Sequence, residues 1–193
     1  MKNICVFCGS SKGNLSVYEE EAKHFGKLIG EKGKTLIYGG GNVGLMGLIA
    51  DTVLEYGGEV IGVIPDFLMK KEVGHLALSE LIIVKSMHER KKRMAELADS
   101  FVAMPGGFGT LEELAEVSTW VQLELIKKPI AVLNVQGFYD HYFRQLDVMV
   151  EHGFLLQQNR NMIMDISSVE SIIDRLSHHR FDDFSIWDEL KKT

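Results

Sequence analysis

The chain has 193 residues, 46% of them hydrophobic and 25% charged, with 19 glycines; this suits one compact α/β domain over 1–193 and excludes a disordered or collagen-like chain. A net charge of −6 makes a nucleic acid polymer or an anionic membrane a poor partner. No stretch approaches the roughly 18 consecutive apolar residues of a membrane span, and the N-terminus lacks a leader pattern, so the expected location is cytoplasmic.

Apolar runs rich in β-branched residues alternate with segments of helical period, the pattern of βαβ units. In chain order the spacing predicts strand 3–8, helix 15–32, strand 34–38, helix 44–56, and strands 59–64 and 80–84. Helix 87–98, strand 100–104, helix 110–126, strand 130–134, helix 139–152 and a weaker helix 169–176 follow. Nearly continuous apolar strands are covered on both faces, so the expected fold is a three-layer Rossmann-like α/β domain with a parallel sheet. Ser16-x-x-Glu19, Ser86-x-x-Glu89 and Thr110-x-x-Glu113 each match the capping box at a helix start. Gly33 and Gly57 close the first two helices, Pro129 closes helix 110–126, and the tail from about 178 has no assignment.

Leu111, Leu114, Ala115, Ser118, Val121 and Leu125 form the expected core stripe of helix 110–126, which Val117 and Trp120 widen on a neighbouring face. A wider stripe buried within the monomer would account for those two residues; a two-fold subunit contact through this helix is the preferred reading.

Cys5 and Cys8 lie three apart in the first strand, where they point to opposite faces, so two buried reduced thiols are expected rather than a redox or zinc pair. The seven histidines show no metal-ligand spacing, and no metal or cofactor is expected. His88 is noted because it stands two residues before Arg90. No Walker A pattern or G-x-S-x-G elbow occurs, which removes support for ATP hydrolysis and acyl transfer.

Three strand-to-helix junctions are rich in glycine or hydroxyl residues: Gly9-Ser10-Ser11, Gly39-Gly40-Gly41-Asn42-Val43-Gly44, and Pro105 to Thr110. All belong at the carboxyl edge of one parallel sheet, where ligands bind. Glycine lets the backbone approach an anion, and the following helix supplies free amides and a positive dipole end. The second loop fits G-x-G-x-x-G with Asp66 about twenty residues on, but it follows the second strand rather than the first, so a dinucleotide site is weakly supported.

Glu113 has a sufficient structural reading as the third residue of a helix capped by Thr110. The same position sets a carboxylate beside a site built for anions, where it is costly without a chemical task. Arg90, Lys91 and Arg93 supply compensating charge. A solvated helix face explains such a run, but Arg90 follows its helix start closely enough to face the pocket and hold a phosphate or Glu113.

Pro105 to Glu113 reads P-G-G-x-G-T-x-x-E, and "CVFCGSS" at 5–11, "YGGGNVGLMG" at 38–47, "IGVIP" at 61–65, "MHERKKRM" at 87–94 and "KPIAVLNVQGFY" at 128–139 accompany it in order. Over residues 3 to 160 the chain resembles the "Lonely guy" family of cytokinin riboside 5′-monophosphate phosphoribohydrolases. The resemblance implies a modified Rossmann sheet, a homodimer or a multiple of it, and hydrolysis of the N-glycosidic bond of an adenosine 5′-monophosphate type nucleotide. It places the catalytic pair on Arg90 and Glu113. Substrate contacts would come from Ser10, Gly39, Gly40, Gly41, Gly44, Met46, Met87, Lys91, Gly106, Gly107, Gly109 and Thr110. The passage from Leu68 to Glu72 departs from the family pattern in a loop expected to shape the base pocket, so base preference stays open. Two alternatives stand beside this: a carrier of a phosphorylated ligand or molybdenum cofactor on the same fold, and a lysine decarboxylase, for which no pyridoxal-binding lysine context is visible.

Overall fold

Each apolar run becomes a strand because its backbone groups pair sideways while its side chains reach helices above and below. The strands are β1 (Asn3–Phe7), β2 (Thr35–Tyr38), β3 (Glu59–Pro65), β4 (Glu80–Val84), β5 (Ser100–Ala103), β6 (Ile130–Leu133) and β7 (Ile163–Ile166). They form one seven-stranded sheet in the order β4-β3-β2-β1-β5-β6-β7, and every neighbouring pair is parallel. This computed structural model describes residues 1–71 and 74–181.

The crossovers are α1 (Ser16–Glu31), α2 (Gly44–Glu55), α3 (Asp66–Met69), α4 (Met87–Leu97), α5 (Phe108–Gln122), α6 (Asp140–Glu151), α7 (Gln157–Asn161) and α8 (Val169–Ser177). Alternation along β1 divides the core in two. Ile4, Val6 and Cys8 pack with α1, α2 and α8 on one face, whereas Cys5 and Phe7 pack with α4, α5 and α6 on the other. Both cysteines are buried free thiols on opposite faces, as their spacing predicts. The chain runs outward from β1 to β4 and then returns to lay β5 against the other side of β1. Loops leaving β1 and β5 therefore diverge, and a crevice opens at their carboxyl ends.

Three helix-end expectations need correction. At α1 the N-cap is Leu15 without a side-chain bond, and Glu19 accepts from the Lys12 ammonium at 2.8 Å, so the Ser16 capping box does not form. At α5 the helix starts at Phe108 with Gly107 as N-cap, which puts Thr110 and Glu113 inside the helix and frees Glu113 from capping. That helix ends at Gln122, where Glu124 takes a φ of 58°, well before Pro129. Ser86 does cap α4, accepting the Glu89 amide at 3.1 Å. Gly33 and Gly57 close α1 and α2 at φ of 59° and 76°.

The shorter α5 also changes its apolar face. Val117 is buried in the monomer core, Ala115 is exposed, and Leu125 lies past the helix at 67% exposure. Trp120 stays half-buried against the same core. The surface that α5 leaves open is thus narrower than its sequence suggests. β7 and the short α3 and α7 add to the expected elements. Of the segments flagged in the sequence, Glu72 and the tail beyond Phe181 lie outside the described residues.

Candidate active site

The crevice is a cleft of about 520 Å³ at the carboxyl ends of β1, β2 and β5, floored by Cys8, Arg90 and Glu113. Its three loops are tied together at Gly9. That residue's amide donates to the Pro105 carbonyl at 3.0 Å, and its carbonyl accepts from the Leu45 amide at 3.0 Å. Gly44, at φ 62°, sits so close to Ser10 that a Cβ there would collide with the Ser10 backbone. Gly106 is equally confined, because a Cβ would run into Thr110.

Gly107 and Gly109 differ. A Cβ at either would meet nothing within 4 Å, and both line the cleft. The protein's own packing does not require glycine there, whereas a ligand resting on the backbone would. The first amide paired inside α5 is that of Leu111, to the Gly107 carbonyl at 3.1 Å. The amides of Gly109 and Thr110 have no intrahelical acceptor and carry the positive end of the helix dipole.

Arg90 comes from the first turn of α4 and is 8% exposed. Its Nε donates to the Val63 carbonyl at 3.1 Å, and its Nη1 lies 3.3 Å from Glu113 Oε1. Burial pushes the Glu113 carboxyl up to about 7 against the pull of the Arg90 cation; Glu112 and Glu116 push it up further and Lys91 pulls it down. Burial and the Glu113 charge together hold the Cys8 thiol well above its ordinary range, so it stays protonated. A carboxyl titrating near neutrality in a cleft can both carry charge and exchange a proton.

Of the residues predicted from sequence, Ser10, Gly39, Gly41, Met46, Arg90, Gly107, Gly109, Thr110 and Glu113 line this cleft together. Gly40, Gly44, Met87, Lys91 and Gly106 do not. Gly40 receives the His75 amide at 2.9 Å on its carbonyl, and Met87 Sδ stands 4.0 Å from Arg90 Nη1. Lys91 turns to Glu112 and Glu116. His88 is exposed and outside the cleft, and Asp66 is exposed and paired with Lys70 at 2.6 Å. The cleft also takes in an apolar wall of Val43, Ile64 and Leu68, of which Leu68 opens the passage flagged in the sequence; Ile64 and Phe108, the latter 92% exposed at the mouth, were not singled out. Ile64 was findable, since it lies at the carboxyl end of its strand.

A family model described as "Possible lysine decarboxylase" matches residues 46–176. The chain is 44% identical over 190 residues to cytokinin riboside 5′-monophosphate phosphoribohydrolase LOG of Oryza sativa subsp. japonica, covering 97% of this chain and 78% of that one. It is 42% identical to the phosphoribohydrolase LOG7 of Arabidopsis thaliana, covering 99% of this chain and 90% of the relative. Among solved structures, the Moco carrier protein from Chlamydomonas reinhardtii superposes with a TM-score of 0.69 at 22% identity, covering 91% and 95% of the two chains. The molybdenum cofactor binding protein from Rippkaea orientalis also scores 0.69 at 22% identity, covering 92% and 96%. These two structures share the fold. The chain itself belongs to the family of LOG-type cytokinin riboside 5′-monophosphate phosphoribohydrolases, the group whose model still bears the lysine decarboxylase description.

Proposed function

We propose that this protein hydrolyses the N-glycosidic bond of adenosine 5′-monophosphate and its N6-substituted relatives, releasing free base and ribose 5-phosphate. One observation carries this reading above others: a buried carboxylate and guanidinium, 3.3 Å apart, stand beside the amide end of α5 in a cleft open to ligand. The 5′-phosphate rests on the amides of Gly109 and Thr110. Val43, Ile64 and Leu68 form the apolar wall against which the base lies.

Cleavage proceeds as the bond from C1′ to the base nitrogen breaks, with its electron pair leaving on the base, and the ribose gains oxocarbenium character. The ionised Glu113 carboxylate stabilises that cation. It also takes a proton from the water whose oxygen bonds to C1′; the departing base takes up a proton from solvent, and Glu113 gives its own back to solvent, so that neutral base leaves and the carboxylate is regenerated. Arg90 is too basic to act as an ordinary acid, so it holds Glu113 in position and keeps part of its population ionised.

A carrier of a phosphorylated ligand, the second reading, shares the fold and the amide cradle but has no use for a buried carboxylate next to an anion. A decarboxylase relying on pyridoxal chemistry needs a lysine in the cleft, and none of the described residues lining it is lysine. A homodimer through α5 and a cytoplasmic location belong to the same proposal. Leu125, 67% exposed just past α5, leaves apolar surface for the first, and the free thiols of Cys5 and Cys8 accord with the second.

Chromatographic detection of released base from a panel of N6-substituted and unsubstituted nucleoside monophosphates tests the hydrolase reading. Glu113→Gln and Arg90→Ala serve as controls. Absence of base from every member of the panel would refute it.

A further inference from the structure

α4 presents two consecutive cations, and α5 answers each of them separately. Arg90 meets Glu113, while the Lys91 ammonium, in a side chain only 7% exposed, is gripped by Glu112 and by Glu116, the latter at 3.2 Å. Glu112 precedes Glu113 and Glu116 follows it by three residues, so the two acids flank the cleft carboxyl on its own helix. Lys91 is outside the cleft lining. Its positive charge is spent on carboxylates rather than offered to an anion.

We propose that Lys91 is a positioning residue that never touches substrate: it clamps α4 to α5 at the spacing that sets Arg90 against Glu113, and it neutralises Glu112 and Glu116. Its kinetic consequences rest on the hydrolase reading; its effect on Glu113 does not. The charged and titratable groups facing Glu113 are Arg90 and Lys91 from α4, Glu112 and Glu116 on α5, and Cys5 and Cys8 from β1. With Lys91 neutral, the two flanking acids repel an ionised Glu113 without compensation. Its proton is then held to higher pH.

The test follows the Glu113 carboxyl by 13C NMR titration in substrate-free protein, alongside the pH profile of base release. Lys91→Met moves the Glu113 midpoint upward by roughly one pH unit, and the acid limb of kcat/KM moves with it. Lys91→Arg restores both. The triple variant Lys91→Met, Glu112→Gln, Glu116→Gln brings the midpoint back to or below that of the wild type, and it serves where Lys91→Met does not fold. Preference for the monophosphate over the nucleoside stays unchanged in every variant. An unmoved midpoint in Lys91→Met, a midpoint in the triple variant that rises above that of the wild type, or a rise in KM confined to the monophosphate, overturns the proposal. If wild-type protein releases no base, the hydrolase reading falls while the titration still decides the role of Lys91.

Discussion

The guanidinium of Arg90 lies directly over Gly39, in the space that any Cβ on that residue would occupy. Glycine at this position serves the arginine as well as any ligand. Gly39→Ala therefore pushes Arg90 away from Glu113, and a misplacement of about 1 Å at a reacting pair costs on the order of 100-fold in rate. The expected loss in kcat/KM approaches that of Arg90→Ala, and the double variant is no worse than either single change. Additive losses in steady-state kinetics would show that Gly39 acts through another contact.

The raised Glu113 carboxyl sets activity and stability against each other as pH changes. On the proposed mechanism activity requires the carboxylate, so kcat/KM is expected to rise through about pH 7 and level above it. Stability runs the other way. The folded state holds a proton that the unfolded chain, with an ordinary carboxyl, releases near 4.5. This contribution is fully present below 4.5, declines between there and about 7, and is gone above. Glu113→Gln removes that part of the slope, which denaturant titrations at several pH values would reveal.

Neighbouring glycines in one motif carry different duties. Gly106→Ala forces a clash with Thr110 and the Gly9 amide, and should lower the melting temperature. Gly109→Ala meets only open space, so its unfolding free energy stays within about 0.5 kcal/mol of wild type. Its added methyl nonetheless enters the proposed phosphate cradle, and weaker binding of the monophosphate is expected. Calorimetry and ligand titration on the pair check the contrast.

On the proposed mechanism a phosphate held at the start of α5 positions the ribose against Glu113, so removing it deprives the reaction of orientation as well as affinity. Adenosine should turn over at least about 100-fold more slowly than its monophosphate at saturation, not merely require more substrate. Equal kcat values in a base-release assay would disprove the cradle.

Much of the sheet was legible because β1, β2, β3, β5 and β6 are short apolar runs, as burial on both faces demands, and the edge strand β4 keeps an apolar run although Ile83 is 56% exposed. β7 was not: Asp165 interrupts its apolar run, which an edge strand tolerates because one side faces solvent. The loops could be placed from their glycines alone. The task of Glu113 could not, since Thr110-x-x-Glu113 has the spacing of a cap, and only the helix start at Phe108 turns that carboxyl toward Arg90. Leu68 was legible only as the start of a departure from the family pattern, because a four-residue helix leaves no period to read.

Gly9 joins the loops after β1, α2's start and β5 through backbone bonds that no side-chain change can rewrite. The reacting end of the cleft is consequently a single mortised block, resistant to drift. α3 buries none of its residues, yet it lends Leu68 to the opposite wall. A library confined to residues 66–69 therefore samples the proposed base-facing wall at Leu68 without disturbing the joinery.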